Sequence, residues 1–255
     1  MSTTRANGSL YTKIEGKIAT VEFGHPASNS FVAELLDRLT SELEQLSEND
    51  DITVIVLKSE GDRAFCAGAS FDELMAVSNL EEGKIFFSGF ANVINAMRTC
   101  KKVIIGRVQG KTVGGGVGLA AACDYVFASV EASVRLSELT IGIAPLVIAP
   151  AVERKIGTAA ISELSLSPTE WKNAYWAQEK GLFAKVYDSI EELDKEVEFF
   201  AQKLSAYNPH ALHELKKVLW KNTTHWDTLL VERASITGSL VLSEFTRNAL
   251  AKFAK

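Results

Sequence analysis

Three glycines in a row, Gly114-Gly115-Gly116, separate the apolar run Val103-Ile104-Ile105-Gly106-Arg107-Val108 from the small-residue segment Val117-Gly118-Leu119-Ala120-Ala121-Ala122. Where a strand hands over to a helix, side-chain-free residues leave the first backbone N–H groups open to a ligand atom. The helix dipole adds partial positive charge at the same place, so the junction favours an anion, bound or formed during a reaction. A similar junction lies earlier in the chain. Ile52-Thr53-Val54-Ile55-Val56-Leu57 reads as a strand buried on both faces. A glycine-bearing loop over 61–70 follows it, then the helical Phe71-Asp72-Glu73-Leu74-Met75. A strand, glycine loop and helix seen twice indicate the α/β class.

The flanking segments fit that class. Residues 10–23 predict a hairpin turning at Glu15-Gly16 and broken by Gly24-His25-Pro26, where His25 serves as a turn residue. Phe31, Leu35, Leu39, Leu43 and Leu46 recur at helical spacing and predict an amphipathic helix over 31–47. A helix over 84–99 and a strand over 125–128 are expected next, and from about 151 the chain reads as mostly helical. Ser167-Pro168-Thr169-Glu170 and Asn208-Pro209 have the form of helix starts. Apolar stripes mark 189–205 and 225–253. Trp171, Trp176, Trp220 and Trp226 fall on such stripes and read as packing, whereas Lys216, Lys217 and Lys221 read as a solvated helix face. No linker divides the chain.

Composition narrows the partners. With 255 residues, 47% hydrophobic and 23% charged, the chain can bury a large core. Its formal net charge of −5 argues against a nucleic-acid partner, which needs a basic face. Cys66, Cys100 and Cys123 match neither a zinc nor a CxxC pattern, and His210, His213 and His225 lack ligand spacing, so reduced thiols and no metal are expected. The polar start lacks the apolar segment of a signal peptide, and no run approaches the roughly 20 apolar residues of a membrane span. A cytoplasmic protein without a membrane partner is the expectation.

Common glycine motifs do not fit. Gly110 and Gly115 have P-loop spacing, but Gly116-Val117 follows instead of Lys-Ser/Thr. The dinucleotide fingerprint lacks its last glycine at Leu119 and the acidic residue ending the next strand. No G-x-S-x-G elbow occurs.

Five fragments, in order, resemble the crotonase superfamily, the enoyl-CoA hydratase/isomerase proteins. They are Pro26 with Asn29-Ser30-Phe31; Phe65-Cys66-Ala67-Gly68-Ala69; Val108-Gln109-Gly110 with Gly114-Gly115-Gly116; Cys123-Asp124; and Ser137-Glu138 with Ile141-Gly142-Ile143. The resemblance implies an α/β fold, a crotonase-like spiral of β-β-α turns with a C-terminal helical trimerisation region. The acyl-CoA-binding core would span 1–200 and the helical oligomerisation region 201–255. It further implies an acyl-CoA thioester substrate, coenzyme A entering as part of that substrate with no separate cofactor, and a homotrimer or homohexamer. Carried over by position, the two N–H donors to the thioester oxygen are Ala69 and Gly115. The coenzyme A contacts are Cys66, Ala67, Phe71 and Gly114. Of the two glutamates in the family's hydratases, the second matches Glu138 and the first falls on Gly118.

One carboxylate instead of two shapes the expected chemistry. An enolate held by two N–H donors, with Glu138 as its single base, suits double-bond isomerisation better than addition of water. Decarboxylation of an acyl-CoA, and a non-catalytic coenzyme A-binding role, are the alternatives.

Overall fold

The computed structural model describes residues 7–252. Strands β1 (Ser9–Glu15) and β2 (Ile18–Gly24) form the expected hairpin. Helix α1 (Ala33–Glu48) turns Leu35, Leu39, Leu43 and Leu46 inward. A long strand, a short strand and helix then recur: β3 (Val54–Ser59), β4 (Ala64–Cys66), α2 (Phe71–Ala76) and α3 (Leu80–Thr99); then β5 (Val103–Val108), β6 (Lys111–Val113) and α4 (Gly115–Ala122). Strands β7 (Tyr125–Ser129) and β8 (Ser133–Arg135) lead into a 3-10 turn, Glu138–Ile141. Helix α5 (Ala149–Leu166), β9 (Lys172–Asn173), α6 (Ala174–Glu179), β10 (Lys185–Tyr187), and helices α7 (Ile190–Ser205), α8 (Pro209–Leu219), α9 (Trp226–Val241) and α10 (Glu244–Ala251) complete the chain.

The long strands, with the short β10 at one edge, build one sheet, ordered β1-β2-β3-β5-β7-β10, and the other short ones a second, ordered β4-β6-β8-β9. This is the spiral of β-β-α turns that the resemblance implied. Strand β3 shows why its sequence is apolar throughout. Ile55 and Leu57 enter the main core beneath α1 and α3, while Val54 and Val56 meet Leu193, Val197 and Ala201 of α7 on the opposite face.

Several local expectations shift. Helix α3 begins at Leu80, four residues before the expected start, because the Asn79 side chain accepts the Glu82 N–H. Ser167-Pro168 starts no helix: α5 ends there, and the next helix begins at Ala174 under the Asn173 side chain, which accepts the Trp176 N–H at 2.9 Å. Tertiary contacts override the local signal. Lys172 pairs with Glu163 at 2.6 Å and Glu170 at 3.0 Å, and residues 172–173 add a strand to β8. The stripe over 225–253 divides into α9 and α10, the second capped by Ser243. Asn208-Pro209 starts α8 as expected, with Asn208 accepting the His210 N–H.

Lys216 is not solvated. Its ammonium is buried at 2.9 Å from Asp124 Oδ2 and donates to the Lys102 carbonyl at 2.8 Å. Helix α8 packs this face onto the molecule, and the carboxylate beneath supplies the counter-charge. Helix α9 crosses α3 glycine to glycine: a Cβ on Gly83 would lie 2.8 Å from Gly238 Cα. The C-terminal helices are thus packed against the sheet-bearing part. Among the described residues, no helix is long and apolar enough to cross a membrane, and no group of three or more His, Cys, Asp or Glu could hold a metal.

Candidate active site

The two glycine junctions meet. A Cβ on Gly68 would lie 3.2 Å from the Val113 carbonyl oxygen and 3.7 Å from the Gly115 nitrogen. Each glycine of the triplet answers to a neighbour. Gly114 has φ +52°, which side chains rarely adopt, and a Cβ there would sit 2.8 Å from Glu138 Oε1. At Gly115 a Cβ would enter the Phe90 ring, and at Gly116 it would strike Cys66.

Both junctions present free donors. The Phe31 N–H donates to Gly68 O at 2.8 Å and the Ser70 N–H to Phe31 O at 2.7 Å, so this isolated bridge leaves the N–H of Ala69 between them unused. Gly115 is the first residue of α4 and has no carbonyl partner within its helix. Among the described residues, neither N–H donates to a protein acceptor.

Ala69, Gly115 and Glu138 line one cavity of about 340 Å³. Most of its wall is apolar, including Phe71, Phe86, Phe90 and Ile143. Glu138 opens the 3-10 turn, which ends at Gly142 with φ +82°. A Cβ at Gly142 would collide with Phe245 and Thr246, so α10 presses the turn in place. The Glu138 Oε2 is buried, without a hydrogen-bond partner among the described residues. Burial pushes its pKa up to about 7, the backbone N–H of Glu138 itself opposing in part. A carboxylate so poised can both take and return a proton near neutral pH.

The other expected positions divide. Ala67, Phe71 and Gly114 line the cavity, and Ala67 is exposed at its edge. Cys66 sits in the core, its thiol pushed up to about 12 by burial. Only its backbone could face a ligand. Gly118 is buried outside the cavity wall, where a Cβ would lie 2.5 Å from Ile148 Cγ2. Ile148 itself lines the cavity, so an apolar branch fills the space beside Gly118. Ser70 caps α2 by accepting the Glu73 N–H. His25 accepts the Ala27 N–H within its turn.

Sequence reasoning missed Ile148 and Arg135. Arg135 lines the cavity, its Nε buried and without a partner among the described residues. Its guanidinium lies 4.4 Å from the centre of the Trp171 ring, which is 38% exposed and so not the packing residue expected. The available signal was alternation in β8: Val134 enters the core, so Arg135 must face the other way.

Known proteins match nearly the whole chain in sequence and fold. The family model for enoyl-CoA hydratase/isomerase matches residues 13–243. The peroxisomal Delta(3,5)-Delta(2,4)-dienoyl-CoA isomerase of Arabidopsis thaliana is 29% identical over 192 residues, covering 71% of this chain and 68% of its own. The short-chain-enoyl-CoA hydratase of Clostridium acetobutylicum is 25% identical over 242 residues, covering 94% and 92%. The crystal structure of an enoyl-CoA hydratase from Bacillus halodurans superposes with a TM-score of 0.88 at 20% identity, covering 95% of this chain and 99% of its own. With its spiral fold, paired junctions and buried glutamate, the chain belongs to the enoyl-CoA hydratase/isomerase family.

Proposed function

We propose that this protein isomerises an unsaturated acyl-CoA thioester by a proton transfer through an enolate. The observation that carries the reading is the Glu138 carboxyl, its buried Oε2 without a hydrogen-bond partner among the described residues, in the same cavity as the free N–H groups of Ala69 and Gly115. Removing a thioester α-proton places negative charge on the carbonyl oxygen. Two fixed donors stabilise that charge as it forms, each worth about 10²–10³ in rate. Glu138 takes the proton from the α-carbon, the electrons delocalise along the alkene, and the same carboxyl returns the proton at the γ-carbon. Atoms balance without water. Ala67, Phe71, Gly114 and the backbone of Cys66 hold the coenzyme A end.

Isomerisation is favoured over hydration by Ile148, whose side chain occupies the space beside Gly118 where a second carboxylate would start. Copies of the chain associate, as a homotrimer or homohexamer, through the apolar side chains Leu215, Val218, Leu219, Ile236 and Phe245, each more than half exposed on the C-terminal helices.

Incubation with a 3-enoyl-CoA in heavy water tests the reading by mass spectrometry. Wild type should produce the 2-enoyl isomer and incorporate solvent deuterium. Glu138→Gln should slow both by about 10²–10⁴. Equal rates in the two proteins would exclude Glu138 as the base.

A further inference from the structure

The reaction just described leaves Arg135 without a task. Among the described residues, its guanidinium donates to no acceptor and forms no ion pair, and its Nε is buried. Three buried side-chain polar atoms lack a partner there, and two of them, Arg135 Nε and Glu138 Oε2, belong to the wall of one cavity. A buried donor without an acceptor is destabilising, so a place where it persists is one where a ligand can supply the acceptor. Trp171 supports the guanidinium by its face at 4.4 Å, which leaves the in-plane donors available. Lys111 Nζ approaches the same indole, 5.4 Å from its centre, adding positive charge with no acidic partner among the described residues.

We propose that Arg135 is a specificity residue that binds a carboxylate carried on the acyl group, so that the preferred thioesters are those of dicarboxylic acids. The proposal rests on the acyl-CoA reading above. An arginine fork donates two parallel hydrogen bonds to a carboxylate, the geometry that a stacked, unpaired guanidinium is ready to make. Placement favours the acyl end over the phosphates of coenzyme A. The Arg135 carbonyl accepts the Gly114 N–H at 3.0 Å, and Gly114 abuts the Glu138 carboxylate. The Arg135 backbone is therefore rooted beside the proposed base. A second negative charge entering the cavity would further oppose ionisation of Glu138, and the guanidinium supplies the counter-charge that offsets it. Phe71, Phe86 and Ile143 provide apolar contact for the intervening methylenes.

Calorimetric binding of adipoyl-CoA and hexanoyl-CoA, equal in chain length and differing at the far end, tests this without turnover. Wild type should bind adipoyl-CoA at least about 30-fold more tightly. In Arg135→Gln that ratio should fall towards one, and Arg135→Lys should retain part of it. Equal affinities in wild type would overturn the proposal, whatever the variants do. So would Arg135→Gln weakening both thioesters alike, an effect that would vanish with the pantetheine thioesters and assign the residue to the phosphates. Failure of wild type to bind either thioester would overturn the acyl-CoA reading and this proposal with it. Binding of both at one affinity would overturn this proposal alone.

Discussion

Two buried carboxylates, Asp124 and Glu138, lie on the segments that leave and follow the glycine helix, and they are treated in opposite ways. Asp124 accepts from Lys216 Nζ at 2.9 Å, the Ile104 N–H at 2.8 Å and Trp220 Nε1 at 2.7 Å. Its own carbonyl accepts from Lys155 Nζ at 2.9 Å. Among the described residues, Glu138 Oε2 has no hydrogen-bond partner. A satisfied buried charge fixes structure, here joining α4, α5, β5 and α8. An unsatisfied one is a reserve of reactivity, because folding withholds what the ionised group needs.

That contrast can be broken from either side. The largest expected effect is Asp124→Ala, which strands the Lys216 ammonium and should cost about 3–5 kcal/mol in urea unfolding. A loss below about 1 kcal/mol would mean that the network is not a structural anchor.

Glu138 should respond in the reverse sense, and pH sets the sign. Its folded-state pKa of about 7 stands above the ordinary value of 4.5. Below 4.5 the group is protonated in both states and carries no penalty. As pH rises, the unfolded chain ionises first, so folding stability falls until pH passes the folded value. Glu138→Gln should therefore gain about 3 kcal/mol relative to wild type between pH 4 and pH 8, measured by chemical unfolding at each pH. The kcat/KM of wild type should climb through the same region, since only the ionised carboxylate is a base. A flat stability difference would show that burial does not hold this proton.

A third carboxylate sharpens the comparison further. Gly118→Glu alone should lose about 1–3 kcal/mol in thermal unfolding, because its Cβ would meet Ile148 Cγ2 at 2.5 Å. Combined with Ile148→Ala it should regain that stability and begin to hydrate a short 2-enoyl-CoA, seen as loss of the conjugated thioester absorbance. Least costly is Trp220→Phe, which removes one of several donors to Asp124 and should cost about 1 kcal/mol.

The junctions were legible in the sequence because glycine there is a local necessity. Gly114 takes a backbone angle that other residues avoid, and Glu138 lies a short, fixed stretch beyond it. Two such units indicated the α/β class, and the spiral of paired strands came from the family resemblance alone. Ile148, Arg135 and Lys216 were not legible in the same way. What each does depends on a partner, or the lack of one, brought together by folding. Local pattern cannot distinguish a lysine on a wet face from one seated on a distant aspartate. Nor can it say that an arginine lacks an acceptor. Ser167-Pro168 failed for a related reason: its helix-start signal was real but weaker than the strand pairing and ion pairs that claim the following residues.

The Gly83–Gly238 crossing has a reach beyond its own contact. Helix α3 contributes Phe86, Phe87 and Phe90 to the cavity, and α9 contributes Thr237. With main chain resting on main chain, the two helices work as closed calliper jaws. One methyl group at either glycine would prise them apart, so the bore of the cavity is gauged at a contact that lies outside its wall.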